Sequence, residues 1–274
     1  MKITIFGVDR RFVYAERLLA GEGFETERYA PGVSLAPILL LPVPASRDGV
    51  TVAGHPDVLL GNLLGNLLSD DAKLILGGNL SGEFTAAARR AGVAVRDYMN
   101  VEEFVLKNAC LTAQAALGIL LSESPAAPRE NPTAILGFGR IGKFLCRGLF
   151  SLGCPVTVFA RNPRDRVMAR LVGANARDTA DLCRDGALSG FRTVCNTVPA
   201  RLLSPAALAS LRPGSLLLEL ASGEGNLPNP GAGSGVIARR ASGLPGKVFP
   251  ESAGIALGET VCDLIRDVFP QTES

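Results

Sequence analysis

The chain has 274 residues, enough for two domains of ordinary size, each with its own hydrophobic core. Its 28 Lys and Arg nearly balance its 26 Asp and Glu, and like charges form no blocks. This near-balance gives no electrostatic footprint for nucleic acid or an anionic membrane, so we expect a small molecule or another protein as the partner.

The N-terminal sequence MKITIFGVDRR enters a predicted strand without a signal-peptide pattern, and runs such as residues 38–41 are too short to span a bilayer. We therefore expect a cytoplasmic protein. The six cysteines form no CxxC pair, and the single histidine, His55, lies in a predicted turn. This scatter is typical of buried residues in a reducing compartment, so we predict no metal site.

The first hundred residues alternate between short apolar runs and helical patterns, as in an α/β domain. The run at 38–41 is continuous in apolar residues and opens into the proline-containing stretch 42–46, which indicates a central parallel strand with a ligand-side loop. The predicted strands cover residues 2–7, 25–29, 38–41, 73–77 and 94–98, and the predicted helices cover residues 10–19, 57–68 and 83–91.

The longest helical pattern covers residues 102–121 and is followed by a stretch rich in Pro, Ser and Ala. A long helix in this position predicts a hinge or spine between two domains. We predict an N-terminal substrate-side domain at 1–108, a spine helix and linker at 109–130, and a dinucleotide-binding domain at 131–251, with the closing helix at 252–274 packing across the junction.

The sequence TAILGFGRIG, residues 133–142, has the order of a dinucleotide fingerprint: an apolar strand, a glycine turn and a helix. Gly137 permits the tight turn, Gly139 lets the backbone approach a pyrophosphate, and Gly142 lets the helix pack on the strand. We expect the phosphates at the helix N-terminus, beside Arg140 and Ile141. The alternative is an ordinary glycine turn between a strand and a helix.

The next predicted strand, residues 156–160, indicates which dinucleotide binds. NAD sites usually carry Asp or Glu at the end of this strand, whereas here Arg161, Asn162, Pro163 and Arg164 follow it. Arginine suits a 2′-phosphate, which a carboxylate would repel, so we predict NADP rather than NAD. The alternative, compatible with the first, is a solvated helix start with Asn162 as N-cap and Pro163 at N1.

Strands and helices continue to alternate after the fingerprint, which predicts a second doubly wound parallel sheet. The fold class is therefore α/β, with two doubly wound parallel-sheet domains, the second a Rossmann domain. Small or polar residues follow two of its strands, at the edge that faces the nicotinamide half of a dinucleotide, although turn chemistry alone also explains them. The residues predicted to contact the cofactor there are Thr197, Val198, Pro199 and Ser222. The remaining strands are predicted at 193–196, 216–220 and 235–238, and the helices at 164–173, 205–211 and 251–269.

These motifs together resemble the A-subunit family of bacterial dipicolinate synthase. The most specific part is GLPGKVFPESAG, because generic dehydrogenases lack it. The resemblance implies NADP-dependent oxidation of dihydrodipicolinate to dipicolinate in endospore formers, and hence a place in sporulation, with a separate flavoprotein-like B subunit. The motifs that carry it lie at residues 7–9, 102–103, 108–109, 112–113, 137–142, 158–161, 196–200, 218–222 and 243–254.

The chain departs from the family pattern at two places. Leu111 and Gln114 stand where the family usually has proline and glutamate, and Gly223 to Asn226 replaces a PGG run. If those positions contribute to chemistry, this member is slowed, altered in substrate or divergent in function.

The predicted reaction requires recognition of two carboxylates on a cyclic substrate, while the cofactor carries the redox step. The general base is unassigned, and the candidate catalytic residues are Lys247, Asn108 and Thr112. Further candidate donors are Lys107, Arg10 and Asn79. For Lys247, the alternative is a simply solvated lysine after a glycine turn.

Two other functions remain open. A reductase of the shikimate or alanine dehydrogenase type would use lysine rather than histidine, whereas lactate-type chemistry needs a histidine in the nucleotide domain, and His55 lies in the other domain. A cofactor-binding regulatory protein without turnover is the alternative outside enzymes. We also expect a homo-oligomer.

Overall fold

The computed structural model describes residues 1–66, 74–222 and 235–270. The chain divides into a terminal unit, Met1–Asn108 with Pro245–Ser274, and a central unit, Ala109–Leu244. Each unit contains a fully parallel sheet with crossover connections, which confirms the predicted fold class.

The sheet of the terminal unit has five parallel strands in the order β2-β1-β3-β6-β7, a doubly wound order with a switch point beside β1. Its elements are β1 (Lys2–Ile5), α1 (Arg11–Gly21), β2 (Glu25–Arg28), β3 (Ile38–Leu40), β4 (Thr51–Val52), β5 (His55–Leu59), α2 (Leu60–Asn66), β6 (Leu74–Gly77), α3 (Gly82–Arg90) and β7 (Ala94–Asp97), with α9 (Pro250–Val268) near the end of the chain.

Hydrophobic cores cover both faces of this sheet. Along β3, Ile38 and Leu40 pack in the core that contains α1 and α9, while Leu39 packs in the core that contains α2 and α3. Successive side chains of a strand point to opposite faces, so a strand covered on both sides must be apolar throughout. This explains the continuous apolar run seen in the sequence.

The predicted helix at 57–68 is wrong at its start. An antiparallel hairpin of β4 and β5 runs to Leu59, and α2 begins only at Leu60. Gly54, with φ of 90°, makes the turn of the hairpin, and in β5 Val58 is buried while its two neighbours are exposed. This alternation is the period of a strand rather than of a helix. Residues 67 and 68 lie outside the described residues.

The helix α4 (Glu102–Glu123) confirms the long helical pattern, and the boundary between the two units falls within it, at Asn108. Among the described residues, α4 alone has the length and apolar composition of a membrane-spanning helix. About two fifths of its apolar window, 39%, is buried inside the protein, and core helices of soluble proteins meet the same criteria, so this is weak support for a membrane span.

The sheet of the central unit has six parallel strands in the order β10-β9-β8-β11-β12-β13. This is the strand order of a Rossmann fold, with its switch point between β8 and β11. The edge strand β10, Asn175–Arg177, is largely exposed and was not predicted, because three mostly polar residues carry no apolar signal. The elements of this unit are β8 (Thr133–Leu136), α5 (Arg140–Ser151), β9 (Val156–Phe159), α6 (Pro163–Leu171), β10 (Asn175–Arg177), β11 (Thr193–Asn196), α7 (Pro205–Ala209), β12 (Leu216–Glu219) and β13 (Ile237–Arg240). The helix α8 (Leu244–Val248) begins at the last residue of this unit and otherwise belongs to the terminal unit.

Candidate dinucleotide site

The first glycine of the fingerprint ends β8 at the switch point. Gly137 has φ of 94°, and its N–H donates to the carbonyl of Phe159 at 2.8 Å. A Cβ here would lie 2.6 Å from both Thr197 Oγ1 and Val198 Cγ2. Gly137 is therefore required by backbone conformation and by the close approach of the loop after β11.

The other two glycines differ in what they serve. A Cβ on Gly142 would collide with the carbonyl oxygen of Gly137, so the close contact between the helix and the preceding turn requires glycine at this position. A Cβ on Gly139 would meet no atom within 4 Å, and its φ of −74° suits any residue. An ordinary glycine turn explains Gly137 and Gly142, but neither packing nor backbone strain explains Gly139. Open space at this backbone position is what an approaching pyrophosphate needs.

The helix α5 begins without a side-chain cap on its N-terminal N–H groups. In contrast, α3, α6 and α7 are capped by Ser81, Asn162 and Ser204. Arg140 and Ile141 lie in the uncapped first turn of α5, directly after the open Gly139. The N–H groups at the start of a helix and the helix dipole favour an anion, so the residues present fit the pyrophosphate of a dinucleotide.

The end of β9 carries no carboxylate and is followed by exposed arginines. Asn162 Oδ1 accepts a hydrogen bond from the N–H of Arg164 at 2.9 Å, so the helix-cap interpretation is correct. The side chains of Arg161 and Arg164 are exposed. Neither makes a side-chain hydrogen bond or ion pair within the parts of the chain that the structure describes. Both guanidinium groups are therefore available at the strand end where a ribose would lie.

Sequence reasoning missed Arg166, which holds this strand end in place. Its Nη1 donates to the carbonyls of Ala160 and Arg161, each at 2.8 Å, and pairs with Asp178 at 2.6 Å. The N–H of Ala180 and the charge of Arg166 lower the pKa of Asp178. Arg166 looks like any other arginine of a polar helix start, so no sequence signal separates it from Arg164.

A buried polar pair shapes the loops after β11 and β12. Asn196 Nδ2 donates to Glu219 Oε1 at 2.7 Å and to the carbonyl of Val198 at 2.8 Å, and both side chains are fully buried. Glu219 Oε1 also accepts from the N–H of Ala221 at 3.2 Å. Sequence reasoning did not predict this pair, although Glu219 is a charged residue at the end of the apolar strand β12 and so provides a signal.

The four cofactor candidates after these strands lie at the carboxyl edge of the sheet. Thr197 donates through both its N–H and its Oγ1 to the carbonyl of Leu136, which ties its loop to the end of β8. Thr197 and Val198 are half-buried against the glycine turn, while Pro199 and Ser222 are exposed. The departure at 223–226 lies outside the described residues.

The candidate substrate groups fall in both units. Asn108 and Thr112 lie one turn apart on the same side of α4, half-buried and buried respectively. Lys247 is exposed on α8. Lys107 pairs with Glu103 at 2.8 Å and with Glu259 at 2.9 Å, and these carboxylates raise its pKa. A lysine neutralised by two carboxylates is a poor anion site, which weakens Lys107 as a candidate.

Arg10 and Asn79 lie in loops at the carboxyl edge of the terminal unit's sheet, where both side chains are exposed. Asn79 takes the left-handed backbone conformation, with φ of 54°, and its N–H donates to Asp97.

The described residues contain no group of three or more His, Cys, Asp or Glu side chains arranged to hold a metal ion. Burial raises the pKa of the Cys146 and Cys262 thiols to about 11 and also raises that of Cys195. These thiols are therefore protonated at neutral pH and unsuited to nucleophilic chemistry.

Comparison with known proteins gives a sequence match and several fold matches. No family model matches the chain. The A subunit of dipicolinate synthase from Bacillus subtilis (strain 168) is 27% identical over 168 residues, which cover 61% of this chain and 56% of that protein. The match thus spans little more than half the length of the relative.

The solved structures of this type align over nearly the whole chain. The A subunit of dipicolinate synthase from Bacillus subtilis has a TM-score of 0.81 at 22% identity, covering 98% of this chain and 96% of that one. Its counterpart from Bacillus halodurans has a TM-score of 0.83 at 19% identity, covering 96% and 97%. D-lactate dehydrogenase from Escherichia coli shares the fold less closely, with a TM-score of 0.62 at 14% identity, covering 97% and 96%. The chain has a dehydrogenase-type fold and is similar in sequence and in fold to the A subunit of dipicolinate synthase, which confirms the resemblance found in its motifs.

Proposed function

We propose that this chain is a cytoplasmic, NADP-dependent oxidoreductase that oxidises dihydrodipicolinate to dipicolinate, as the A subunit of a dipicolinate synthase in a spore-forming cell. The similarity to dipicolinate synthase A subunits supports the reaction. The observation that carries the cofactor assignment is Gly139, whose open backbone precedes the uncapped start of α5.

The preference for NADP rests on the end of β9. Arg161 and Arg164 are exposed there, and none of residues 160–164 is an acid that would accept a ribose hydroxyl or repel a 2′-phosphate. Arg166 fixes the carbonyls of Ala160 and Arg161, so the backbone that carries Arg161 is already ordered. An ordered donor loses less conformational entropy on binding than a mobile one.

The chemistry divides between the cofactor and the chain. NADP, when bound, supplies the acceptor for a hydride from an sp³ ring carbon, and loss of one ring proton completes aromatisation. The turn from Gly137 to Gly142 binds the pyrophosphate, and Thr197 and Val198 form the wall beside it. Asn108, Thr112 and Lys247 are the candidates to orient the substrate and to receive the proton.

His55 argues against lactate-type chemistry. It lies in the terminal unit, its Nε2 is 2.7 Å from the carbonyl oxygen of Phe6, and its ring packs edge-on against Phe6 and Tyr29. This ring is occupied in packing, and no other histidine exists in the chain. A lysine-dependent dehydrogenase of the shikimate or alanine type is the alternative enzyme, and an NADP-binding regulatory protein is the alternative without turnover.

We further propose that the chain forms a homo-oligomer and works with the flavoprotein-like B subunit.

Purified chain, incubated with freshly prepared dihydrodipicolinate and NADP, tests this function. The reaction is followed by the absorbance of reduced nicotinamide, with and without the B subunit, and dipicolinate is measured in the same samples. We expect equal amounts of NADPH and dipicolinate. No NADPH under either condition, with NADP bound normally, would leave the regulatory alternative.

A further inference from the structure

A buried arginine lies at the carboxyl edge of the sheet in the terminal unit. Arg11 is the first residue of α1, directly after the loop that follows β1, and is only 5% exposed. Arginine is among the residues least often buried, and then usually with its donors paired. The adjacent Arg10, which the sequence suggested as a substrate contact, is exposed instead.

Only one side of the Arg11 guanidinium is paired. Its Nε donates to Asp9 Oδ1 at 2.9 Å and to Asp9 Oδ2 at 3.0 Å. The backbone N–H of Arg11 also donates to Asp9 Oδ1, at 3.1 Å. No other hydrogen bond to this side chain occurs within residues 1–66, 74–222 and 235–270. The Nη1 and Nη2 groups, with four N–H donors, therefore have no partner among the described residues.

These two nitrogens keep some contact with solvent. Among the described residues, every buried side-chain nitrogen and oxygen without solvent contact has a hydrogen-bond partner. Since Nη1 and Nη2 have none, each must be reachable from outside. Arg11 thus presents a fork of donors at the end of a side chain that is otherwise buried.

The glycine-rich motif at 243–254 builds this arrangement. A Cβ on Gly246 would lie 2.7 Å from both Nε and Nη2 of Arg11 and 3.0 Å from Cζ, so the backbone of α8 lies directly against the guanidinium. Gly254 is equally close to the start of α1, since a Cβ there would collide with the carbonyl oxygen of Arg11. Contact with Arg11 thus explains Gly246 of GLPGK and Gly254 of SAG, while Gly243 has the left-handed backbone conformation, with φ of 66°.

We propose that Arg11 binds a carboxylate group of the substrate through Nη1 and Nη2; this rests on the proposed function, which supplies a substrate with two carboxylates. Guanidinium and carboxylate match in a planar, two-bond geometry, and the bond is stronger where water is scarce. Asp9 balances the charge of Arg11 and fixes its orientation, so recognition depends on directed donors rather than on net charge. Lys247, the residue after Gly246 on α8, is exposed and is the candidate for the second carboxylate.

A purely structural arginine, which only holds the turn at Asp9, is the competing explanation. In that role, the side chain uses only its Nε donor, and a lysine at this position would retain the positive charge beside Asp9. The two explanations differ in what Arg11→Met does in a folded chain: a structural arginine predicts lower stability with unchanged carboxylate affinity, whereas a carboxylate-binding arginine predicts weaker carboxylate binding.

Calorimetric titration of the full chain with pyridine-2,6-dicarboxylate, pyridine-2-carboxylate and benzoate tests the proposal. The variants are Arg11→Met and Arg11→Lys, with Arg17→Met as the matched control, since Arg17 is an exposed arginine on the same helix. NADP affinity and thermal unfolding are measured for each variant. Where Arg11→Met unfolds, Asp9→Asn, which removes the orienting carboxylate, takes its place.

We expect Arg11→Met to weaken carboxylate binding roughly 10- to 100-fold, and Arg11→Lys to weaken it less, with NADP affinity unchanged. Arg17→Met should bind like wild type. Unchanged carboxylate affinity in folded Arg11→Met, or wild type that binds none of the three carboxylates, overturns the role of Arg11. Binding of the monocarboxylates alone, still dependent on Arg11, keeps that role and removes dihydrodipicolinate as the substrate.

Discussion

Arg161 and Arg166 lie five residues apart and have different environments. Arg161 is exposed with its side chain unpaired in the described chain, while Arg166 is partly buried and bonded to two carbonyls and to Asp178. An exposed, unpaired guanidinium suits ligand binding, whereas one with its donors occupied suits support of the backbone. The two arginines therefore have separate roles at the same strand end.

Replacing Arg161 with Asp should invert the cofactor preference. Hydrogen bonds to charged groups contribute about 1.5–3 kcal/mol each, so wild type should prefer NADP by roughly tenfold to a few hundredfold. The substitution removes the donor and adds repulsion to the 2′-phosphate. Affinities for both cofactors, measured by fluorescence titration, check this result.

Arg170→Asp is the matched control for this prediction. It makes the same charge change at an exposed position in the last turn of α6, the helix that follows Arg161. If both variants lose the same NADP affinity, the effect is a general one of charge, and Arg161 does not contact the phosphate.

The sequence identifies Arg161 as a candidate but gives no signal for Arg11 or Arg166. Arg161 directly follows the second strand of a Rossmann fold, and the residues at the end of that strand are expected near the ribose from the order of the elements alone. Arg11 and Arg166 acquire their environments from contacts with residues distant in the sequence, such as Gly246 and Asp178. Neighbouring arginines, Arg10 and Arg164, carry the same sequence signal, so tertiary packing alone separates them.

At the scale of elements, the fingerprint combines two requirements. Gly137 and Gly142 let β8 and α5 pack, while Gly139 leaves space over the start of α5. Substitutions can therefore distinguish the two glycines that packing requires from the glycine that leaves space for a ligand.

Gly139→Ala should weaken NADP binding while the fold persists. The new methyl group meets no protein atom, and loss of glycine at an N-cap costs at most about 1 kcal/mol. The methyl group would instead meet the pyrophosphate, so we expect a loss of tenfold or more in NADP affinity, with little change in the melting temperature.

Gly190→Ala is the comparison variant, because Gly190 is an exposed glycine with equally open space that lies outside the fingerprint. Normal NADP affinity in Gly139→Ala would show that the turn is an ordinary one.

The packing of α9 on α1 depends on small residues. A Cβ on Gly254 would lie 2.6 Å from Tyr14 Cβ, and one on Gly258 would lie 3.1 Å from Leu18 Cδ2. Gly254→Ala should therefore push the helices apart and destabilise the protein by about 1–3 kcal/mol, as overpacking does. Urea unfolding followed by circular dichroism measures this change.

Gly118→Ala on α4 provides the opposite expectation. Its Cβ would meet nothing within 4 Å, so the gain in helix propensity should stabilise the chain by roughly 0.5–1 kcal/mol. Equal effects of the two substitutions would contradict the close contact at Gly254.

Elements with a strong hydrophobic periodicity could be predicted from the sequence, whereas elements with a weak periodicity could not. The apolar strands and the helices α4 and α9 agree with their predicted positions within a few residues. The sequence does not predict the hairpin of β4 and β5, because these strands are short and lie directly before a leucine-rich run. The helical pattern of that run extends back over the end of β5. The edge strand β10, which pairs with β9, consists of three mostly polar residues and therefore has no apolar signal in the sequence.

Over the whole molecule, the two units have sheets with different strand orders, but in both units candidate ligand-binding residues lie where the strand order reverses. In the central unit, the glycine turn lies where the strand order reverses, and in the terminal unit Asp9 and Arg11 follow β1, beside its own reversal. Ligands of open α/β sheets bind at such points. The terminal unit thus carries the proposed carboxylate site and the central unit the proposed cofactor site.

Titration calorimetry of the wild-type chain with NADP and with NAD tests the central claim most directly, because the claim requires both a dinucleotide site in the central unit and an arginine at its ribose end. We predict binding of both cofactors, with NADP tighter by tenfold to a few hundredfold. Equal affinities, tighter NAD, or binding of neither would contradict the account.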